Sequence, residues 1–344
     1  MRIVIVGATG NIGISLVERL AADPSVDRIV GVARRTPPDP LRFAGSERVS
    51  WVSADIRYDD LEPLVEGADV VVHLAWMFQP THRPEVTWST NAVGTSRLVE
   101  AVVATGVPAL VVSSSVAAYS PRVSTEPVDE AWPTHGTSTA PYAREKAYVE
   151  RLLDAVETTA GHPRVVRIRP AFVFQARSAS EQQRIFAGPL LPRRLVRPSL
   201  IPALPVPADL CLQAVHAEDV ADAFARAALR DVSGGFNICA DDVLGPTELT
   251  RLFRARRLPV PPALLRGIMT VAWAAHAIPA DPKLFDAVMV LPMMSNARAR
   301  AELGWQPTRS AEEVLEEFLV GLREGRGERT APLHPSSSQD AARV

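Results

Sequence analysis

Tyr142-Ala143-Arg144-Glu145-Lys146 places a phenol and an ammonium four residues apart, and so on one face of the chain if the segment is helical. A nearby cation stabilises a phenolate and pulls a phenol of ordinary pKa about 10 toward neutrality. Such a tyrosine can give or take the proton that accompanies hydride transfer. The pairing is informative because lysine is scarce: of 37 Lys and Arg residues only Lys146 and Lys283 are lysine, and there are 4 tyrosines. Upstream, the aliphatic run Ala109–Ser113 leads into Ser113-Ser114-Ser115-Val116-Ala117-Ala118-Tyr119. A hydroxyl at the C-terminal end of a strand faces the crevice where ligands bind in open parallel sheets, and it can hold a reacting oxygen beside the tyrosine. Serine runs are also common in loops, so this signal is weaker alone.

A second constellation opens the chain. Strand Ile3–Val6 runs into Gly7-Ala8-Thr9-Gly10-Asn11-Ile12-Gly13 and then a helical pattern. Gly7 permits the tight turn, Gly10 lets a pyrophosphate approach the backbone, and Gly13 lets the helix pack closely on the strand. The phosphates then meet the helix N-terminus, whose free N–H groups and dipole favour anions. The end of the second strand reads Gly31-Val32-Ala33-Arg34-Arg35, with two guanidinium groups where NAD-binding proteins carry a ribose-binding acid. Forked donors suit a 2′-phosphate, which favours NADP over NAD as the cofactor. The competing reading is a pair of solvated surface arginines.

The elements that must position these residues alternate. Strands are expected at Arg2–Val6, Arg28–Ala33, Val49–Val52, Val70–Leu74, Ala109–Ser113 and Arg164–Arg169. Helices are expected at Ile12–Ala22, Leu61–Glu66, Asn91–Thr105 and Tyr142–Thr159. Short aliphatic runs alternating with longer helical patterns predict an α/β fold, a doubly wound parallel Rossmann sheet covered on both faces. Residues 1–170 form the expected dinucleotide-binding domain, rejoined by 215–240 through the helical HAEDVADAFARAAL and the strand GGFNIC. Proline-punctuated, apolar stretches at 171–214 and 241–322 form a smaller, irregular substrate lobe, and 325–344 is expected to be a disordered tail.

Composition sets the outer limits. A chain of 344 residues with 47% hydrophobic and 22% charged residues can bury a full core. A net charge of −2 leaves no cationic excess for a nucleic-acid backbone or an anionic membrane, so neither is expected as a partner. Two cysteines, Cys211 and Cys239, make neither a disulfide framework nor a multi-cysteine zinc site. The 7 histidines show no ligand spacing, and no metal is expected. The N-terminus lacks a signal-peptide pattern, and with the cysteine usage this gives a cytoplasmic expectation. The uncharged run Ala101–Pro121 is long enough for a bilayer but contains Gly106, Pro108 and three consecutive serines, and reads as a helix end followed by a strand.

With these residues in view, the chain resembles the extended short-chain dehydrogenase/reductases, the group containing NAD-dependent epimerases and dehydratases. GATGNIG, SSSVAAY and YAREK carry the likeness, with Ala54-Asp55-Ile56, His73-Leu74-Ala75, Asn91-Ala92-Val93-Gly94-Thr95, Arg169-Pro170, Val215-His216-Ala217-Glu218-Asp219-Val220 and Glu302-Leu303-Gly304-Trp305-Gln306-Pro307. The resemblance implies Tyr142 as acid/base, Lys146 as its activator and a ribose ligand, and Ser115 as polariser of the substrate oxygen. It implies a dinucleotide held by Gly7, Thr9, Gly10, Asn11, Ile12, Gly13, Arg34, Arg35, Leu74, Ser113 and Pro170. Asp55 and Ile56 would contact adenine, Ala75 would lie near the cofactor's middle, and Asn91 would order the site from behind. His73 and His216 read as structural. By analogy a homodimer would pack through the helices Asn91–Thr105 and Tyr142–Thr159.

The resemblance leaves the substrate open. Relatives acting on uridine-diphosphate sugars carry an arginine just before the Val-His segment, where this chain has Asp209-Leu210-Cys211-Leu212. Buried phosphate needs compensating cations, though Arg177, Arg184, Arg193, Arg194 and Arg197 could supply them. Trp76, Met77 and Phe78 either line an apolar pocket or cover the core. The expected activity is NAD(P)-dependent interconversion of a secondary alcohol and a ketone on a small, apolar substrate. The alternatives are a nucleotide-sugar epimerase or dehydratase with transient hydride transfer, and a non-catalytic dinucleotide-sensing regulator.

Overall fold

A computed structural model of the protein describes residues 1–38, 41–79, 81–188 and 201–335. Six strands of the first half are β1 (Arg2–Val6), β2 (Arg28–Ala33), β3 (Val49–Ser53), β4 (Val70–His73), β5 (Ala109–Ser113) and β6 (Arg164–Pro170). Short strands β7 (Phe172–Phe174), β8 (Ala203–Val206) and β9 (Ala214–His216) follow, then β10 (Gly234–Ile238) and β11 (Arg256–Pro259). The central sheet has the order β10-β6-β5-β4-β1-β2-β3, and every neighbouring pair is parallel. The chain leaves β1 toward β2 and β3, then returns to place β4 on the opposite side of β1. A ligand crevice forms at such a switch point, beyond the carboxyl ends of the strands.

β1 shows why these strands are continuous apolar runs. Its side chains alternate between faces, so Ile3 and Ile5 join one core while Val4 and Val6 join another. The first core is closed by α1 (Asn11–Ala21), through Leu16, Val17 and Leu20, and by a helix at Ala217–Leu229, through Val220 and Phe224. The second is closed by two further helices, Thr95–Ala104 and Pro141–Glu157, through Leu98, Val102, Val149 and Leu153.

One expected helix is divided. The segment read as Asn91–Thr105 begins earlier, at Pro84–Trp88, widens into a π-type turn over Ser89–Gly94, and becomes regular only at Thr95–Ala104. Such widened turns gather at functional sites, because they re-aim a side chain; here that side chain is Asn91. In chain order the helices are α2 (Glu62–Val65), α3 (Pro84–Trp88), α4 (Thr95–Ala104), α5 (Pro141–Glu157), α6 (Ala179–Gln182), α7 (Ala217–Leu229), α8 (Pro246–Leu252), α9 (Pro262–Ala274), α10 (Pro282–Met289) and α11 (Ala311–Glu324). Several of these fall in stretches where the sequence showed few signs of regular structure.

The tail is corrected in part. Residues 325–335, expected to be disordered, pack against the body, with Thr330 and Leu333 fully buried. Leu333 makes this burial favourable in a stretch otherwise too polar to order itself. Residues 336–344, also read as tail, lie outside the described residues.

A buried ion pair ties α5 to the sheet. Glu150, fully buried, accepts two bonds from Arg169 of β6 (2.8 and 2.9 Å) and one from Ser114 (2.6 Å). Arg169 also donates to the Tyr119 hydroxyl (3.0 Å), which donates to Asn237 of β10 (2.7 Å). Burial pushes the Glu150 carboxyl pKa up, but the Arg169 bonds and charge outweigh it and hold the carboxyl below its usual range. Removing one partner strands the other charge in the interior, so Glu150→Gln is expected to lower the unfolding free energy in urea by about 3 kcal/mol or more.

Candidate active site

The first turn of α5 starts with Pro141 after an extended Ala140, an entry that proline's fixed φ favours. Tyr142 and Lys146 follow one turn apart, facing the end of β5. The Lys146 ammonium, 2% exposed, donates to the Ser113 carbonyl (2.8 Å) and lies 3.3 Å from the centre of the Trp76 ring. Its distance to the Tyr142 ring centre is 5.8 Å. Ser115 caps the turn Val116–Ala118, accepting from the Ala117 amide (3.1 Å), and its hydroxyl is near enough to the Tyr142 phenol to favour phenolate. The residues expected to do chemistry therefore converge at the sheet's carboxyl edge.

The expected acidic phenol is not what this arrangement produces. Burial pushes Tyr142 up to about 12, against the pull of Ser115 and with a further push from the Glu145 charge. Burial likewise brings Lys146 down to about 7, while Glu145 and Glu150 oppose it. The physical reason for the difference is desolvation, together with an ammonium spent on a carbonyl and an indole face rather than on the phenol.

Glu145 is a residue whose role sequence reasoning missed. Buried between Tyr142 and Lys146 in sequence, it accepts from Thr87 (2.7 Å) and from the Asn91 amide (2.7 Å). Asn91 then clamps Met77 at both ends of its backbone, accepting from the N–H (2.7 Å) and donating to the C=O (2.8 Å). Two residues on, Gln79 donates to the Ile185 carbonyl (2.6 Å), and Thr81 to that of Pro279 (2.6 Å). The pinned loop lays Phe78 over Tyr142 (5.0 Å between centroids, 17° between planes) and Trp76 edge-on to it (5.7 Å). Both aromatics thus cover the candidate catalytic pair, and the Trp76 indole N–H is buried without a partner. A carboxylate beside one of only two lysines was the available signal for Glu145.

A cavity opens beside Tyr142, walled by Met77, Phe78, Pro141 and Leu284. The charged side chains that line it are Glu145 and Asp281, both carboxylates. Of the cations considered for a substrate phosphate, Arg177 pairs with Glu18 (2.9 Å) and Arg184 donates to the His334 carbonyl (2.8 Å). Arg193, Arg194 and Arg197 lie outside the described residues. Leu210 and Leu212 pack on an apolar cluster with Val206, Leu244 and Leu249.

The dinucleotide loop fits its reading by shape. Gly7 has φ +92°, and a Cβ there would lie 2.5 Å from the Ala75 amide nitrogen. A Cβ on Gly13 would overlap the Gly7 carbonyl, whereas one on Gly10 would meet only that same oxygen, at 3.6 Å. The loop is thus closed against Ala75 and α1 and open at Gly10. No side chain caps α1, so its first N–H groups remain free for an anion. Thr9 is buried, and Asn11 donates to the Val173 carbonyl (3.3 Å) and accepts from Gln175 (2.8 Å), a second residue the sequence did not single out. Ile12 packs against the first core. Leu74 extends β4 with a bond to Val6 (2.7 Å), and Pro170 ends β6 opposite Ile238.

At the far end of the crevice Arg34 and Arg35 are exposed just past β2. Asp55 is held bidentate by Arg57 (2.7 and 3.0 Å), which keeps its carboxyl below the usual range. Ile56 is buried against Gly94. His73 is buried on Thr95 (2.8 Å), where desolvation and then the Lys146 charge bring it down to about 3. His216 caps α7 through the Glu218 amide (3.2 Å) and meets Glu317 (3.3 Å).

Fold and site together describe an extended short-chain dehydrogenase/reductase. Residues 3–239 match the sequence pattern of the NAD dependent epimerase/dehydratase family, and the chain belongs to that family. The uncharacterized protein Rv2047c of Mycobacterium tuberculosis is 27% identical over 338 residues, 97% of this chain but 32% of the relative. The chain therefore spans about a third of that relative's length. Uncharacterized protein Rv0501 of the same organism is 27% identical over 335 residues, 93% of this chain and 83% of the relative. The L-arabinose 1-dehydrogenase (NAD(P)(+)) of Haloferax volcanii is 33% identical over 115 residues, 33% of this chain and 41% of the relative. Among solved structures, MoeE5 in complex with UDP-glucose and NAD has a TM-score of 0.69 at 20% identity, covering 94% of this chain and 99% of that one. Thermotoga maritima UDP-glucose 4-epimerase with UDP-glucose also has a TM-score of 0.69, at 19% identity, with coverage of 94% and 99%. Among the described residues no helix is long and apolar enough to cross a membrane.

The buried lysine gives a pH test. Folded Lys146 loses its proton near pH 7, whereas the unfolded chain holds it to about 10.4. Between these values the unfolded state binds the extra proton, so the cost of burying the ammonium fades as pH rises and stability climbs. In thermal melts without dinucleotide, Lys146→Met is expected to melt above the parent protein at pH 6, with the gap closing toward pH 10.

Proposed function

We propose that this chain is an NADP(H)-preferring oxidoreductase that interconverts a secondary alcohol and a ketone on a small, apolar substrate. The observation that carries the proposal is the convergence of Ser115, Tyr142 and Lys146 at the end of β5, with Tyr142 lining a mostly apolar cavity that holds no cation among the described residues. A bound nicotinamide dinucleotide supplies or accepts the hydride. Tyr142 donates a proton to the substrate oxygen in reduction and takes it back in oxidation. Ser115 holds that oxygen with its hydroxyl, and Trp76 and Phe78 keep water from the reacting atoms. Lys146, released from the Trp76 face, supplies the charge that lowers the cost of phenolate. Gly7, Thr9, Gly10, Asn11, Ile12 and Gly13 would carry the pyrophosphate, with Leu74, Ala75, Ser113 and Pro170 along the crevice and Asp55 and Ile56 toward adenine.

The cofactor preference rests on Arg34 and Arg35, with Asp55 neutralised by Arg57. A ribose 2′-phosphate would find guanidinium groups there, with the nearby Asp55 carboxylate already paired to Arg57. The solved relatives hold UDP-sugars, and a nucleotide-sugar epimerase is the second reading that this likeness favours. The carboxylate-lined cavity weighs against it, because a diphosphate there would meet Glu145 and Asp281. We also propose a homodimer through α4 and α5, whose Val103 and Tyr148 are 40% and 38% exposed; the mass in solution reads it directly.

Two measurements test the activity. With NADPH and a panel of apolar ketones, absorbance at 340 nm should fall stoichiometrically with alcohol formed, and Tyr142→Phe should lower kcat by roughly 100-fold or more. An absorbance that stays constant while a sugar nucleotide is epimerised would select the second reading. Arg34→Ala together with Arg35→Ala should weaken NADPH binding by about ten-fold or more and leave NADH unchanged.

A further inference from the structure

The stretch after α11 returns to the first turn of the chain. Gly325 turns left-handed at φ +67° to end the helix. The Thr330 hydroxyl then donates to the Thr9 carbonyl at 2.8 Å, a contact between residues 321 positions apart. The stretch closes on itself, with Glu328 N–H bonded to the Leu333 carbonyl (2.9 Å) and Leu333 N–H to that of Thr330 (3.1 Å). Ser180 holds it from outside, donating from its N–H (3.2 Å) and hydroxyl (2.8 Å) to the Arg326 carbonyl. Arg177 bridges Glu328 (3.6 Å) to Glu18 of α1 (2.9 Å).

Thr9 C=O and Gly10 N–H belong to one planar peptide unit, so fixing one fixes the other. That N–H donates to the Gly7 carbonyl (3.2 Å) and closes the turn that starts α1. Two residues on, Gln175 donates to the Asn11 carbonyl (2.9 Å) and so holds the peptide plane joining Asn11 to Ile12. Two peptide planes of the phosphate-facing turn are therefore held by side chains distant in sequence, those of Gln175 and Thr330.

We propose that residues 326–335 are a working part of the dinucleotide site: they hold the Gly7–Gly13 turn in its anion-binding shape, so that cofactor affinity depends on Thr330. The inference rests on the reading that this turn carries a nicotinamide dinucleotide. Preorganised N–H groups bind without first being ordered, and a turn released from Thr330 loses that advantage. The dependence is reciprocal, because a cofactor that prefers the held turn must also stabilise the segment that holds it.

The test uses the full-length chain and NADPH. Thr330→Val keeps the side chain's shape and removes its donor, leaving the Thr9 carbonyl unpaired; it should weaken NADPH binding by roughly ten-fold. Ser180→Ala, which loosens the segment away from the turn, should weaken it in the same direction. In the parent protein, saturating NADPH should slow hydrogen–deuterium exchange across residues 326–335. Binding unchanged in both variants, or exchange unmoved by NADPH, overturns the inference and leaves the proposed function standing. A parent protein that binds neither NADPH nor NADH overturns both.

Discussion

One carbonyl oxygen, that of Gly7, sets the distance between α1 and the sheet, and the rest of the site is built around that distance. Any side chain at Gly13 would overlap it, and any at Gly7 would crowd the Ala75 amide. Helix, turn and β4 are thus drawn together at the point where the strand order reverses. The same closeness leaves the first N–H groups of α1 uncapped at the carboxyl edge of the strands. The crevice follows from packing, and its polarity from backbone groups that packing leaves unpaired.

Across the crevice, desolvation governs the candidate catalytic pair. An ammonium and a phenol one turn apart invite the view that charge tunes acidity, yet burial is the largest cause of both groups' shifts. Lys146 is satisfied by a carbonyl and an indole face, and Tyr142 is stacked under Phe78. The proton transfer proposed for the pair would need the aromatic loop to give way. Glu145 and Asn91 hold that loop by its backbone at Met77, so one carboxylate touches both the electrostatics of the pair and the wall above it.

The surroundings of the pair are mostly apolar. Likeness at about 20% identity carries the fold to proteins solved with UDP-sugars, but the cavity here is lined by hydrophobic side chains and two carboxylates. The wide crevice that the fold provides is shared; the chemistry of its walls is local. Likeness of fold carries no substrate to this chain, and the proposed function therefore follows the site.

Residues close together in sequence were legible because their physics is local. The alternation of Ile3, Val4, Ile5 and Val6, the glycines at 7, 10 and 13, and the four-residue step from Tyr142 to Lys146 each express a period or a backbone need. A linear text records such needs directly. The helix over Asn91–Thr105 was legible in existence but not in its widened first turn, since that widening serves a contact with Met77 far back in the chain. Tertiary structure alone decided that Lys146 would face Trp76, that Glu145 would reach Asn91, and that Thr330 would close on Thr9. Each of these depends on which buried surfaces the fold brings together across tens to hundreds of residues, and desolvation and hydrogen bonding act on distance in space, which the order of residues does not contain.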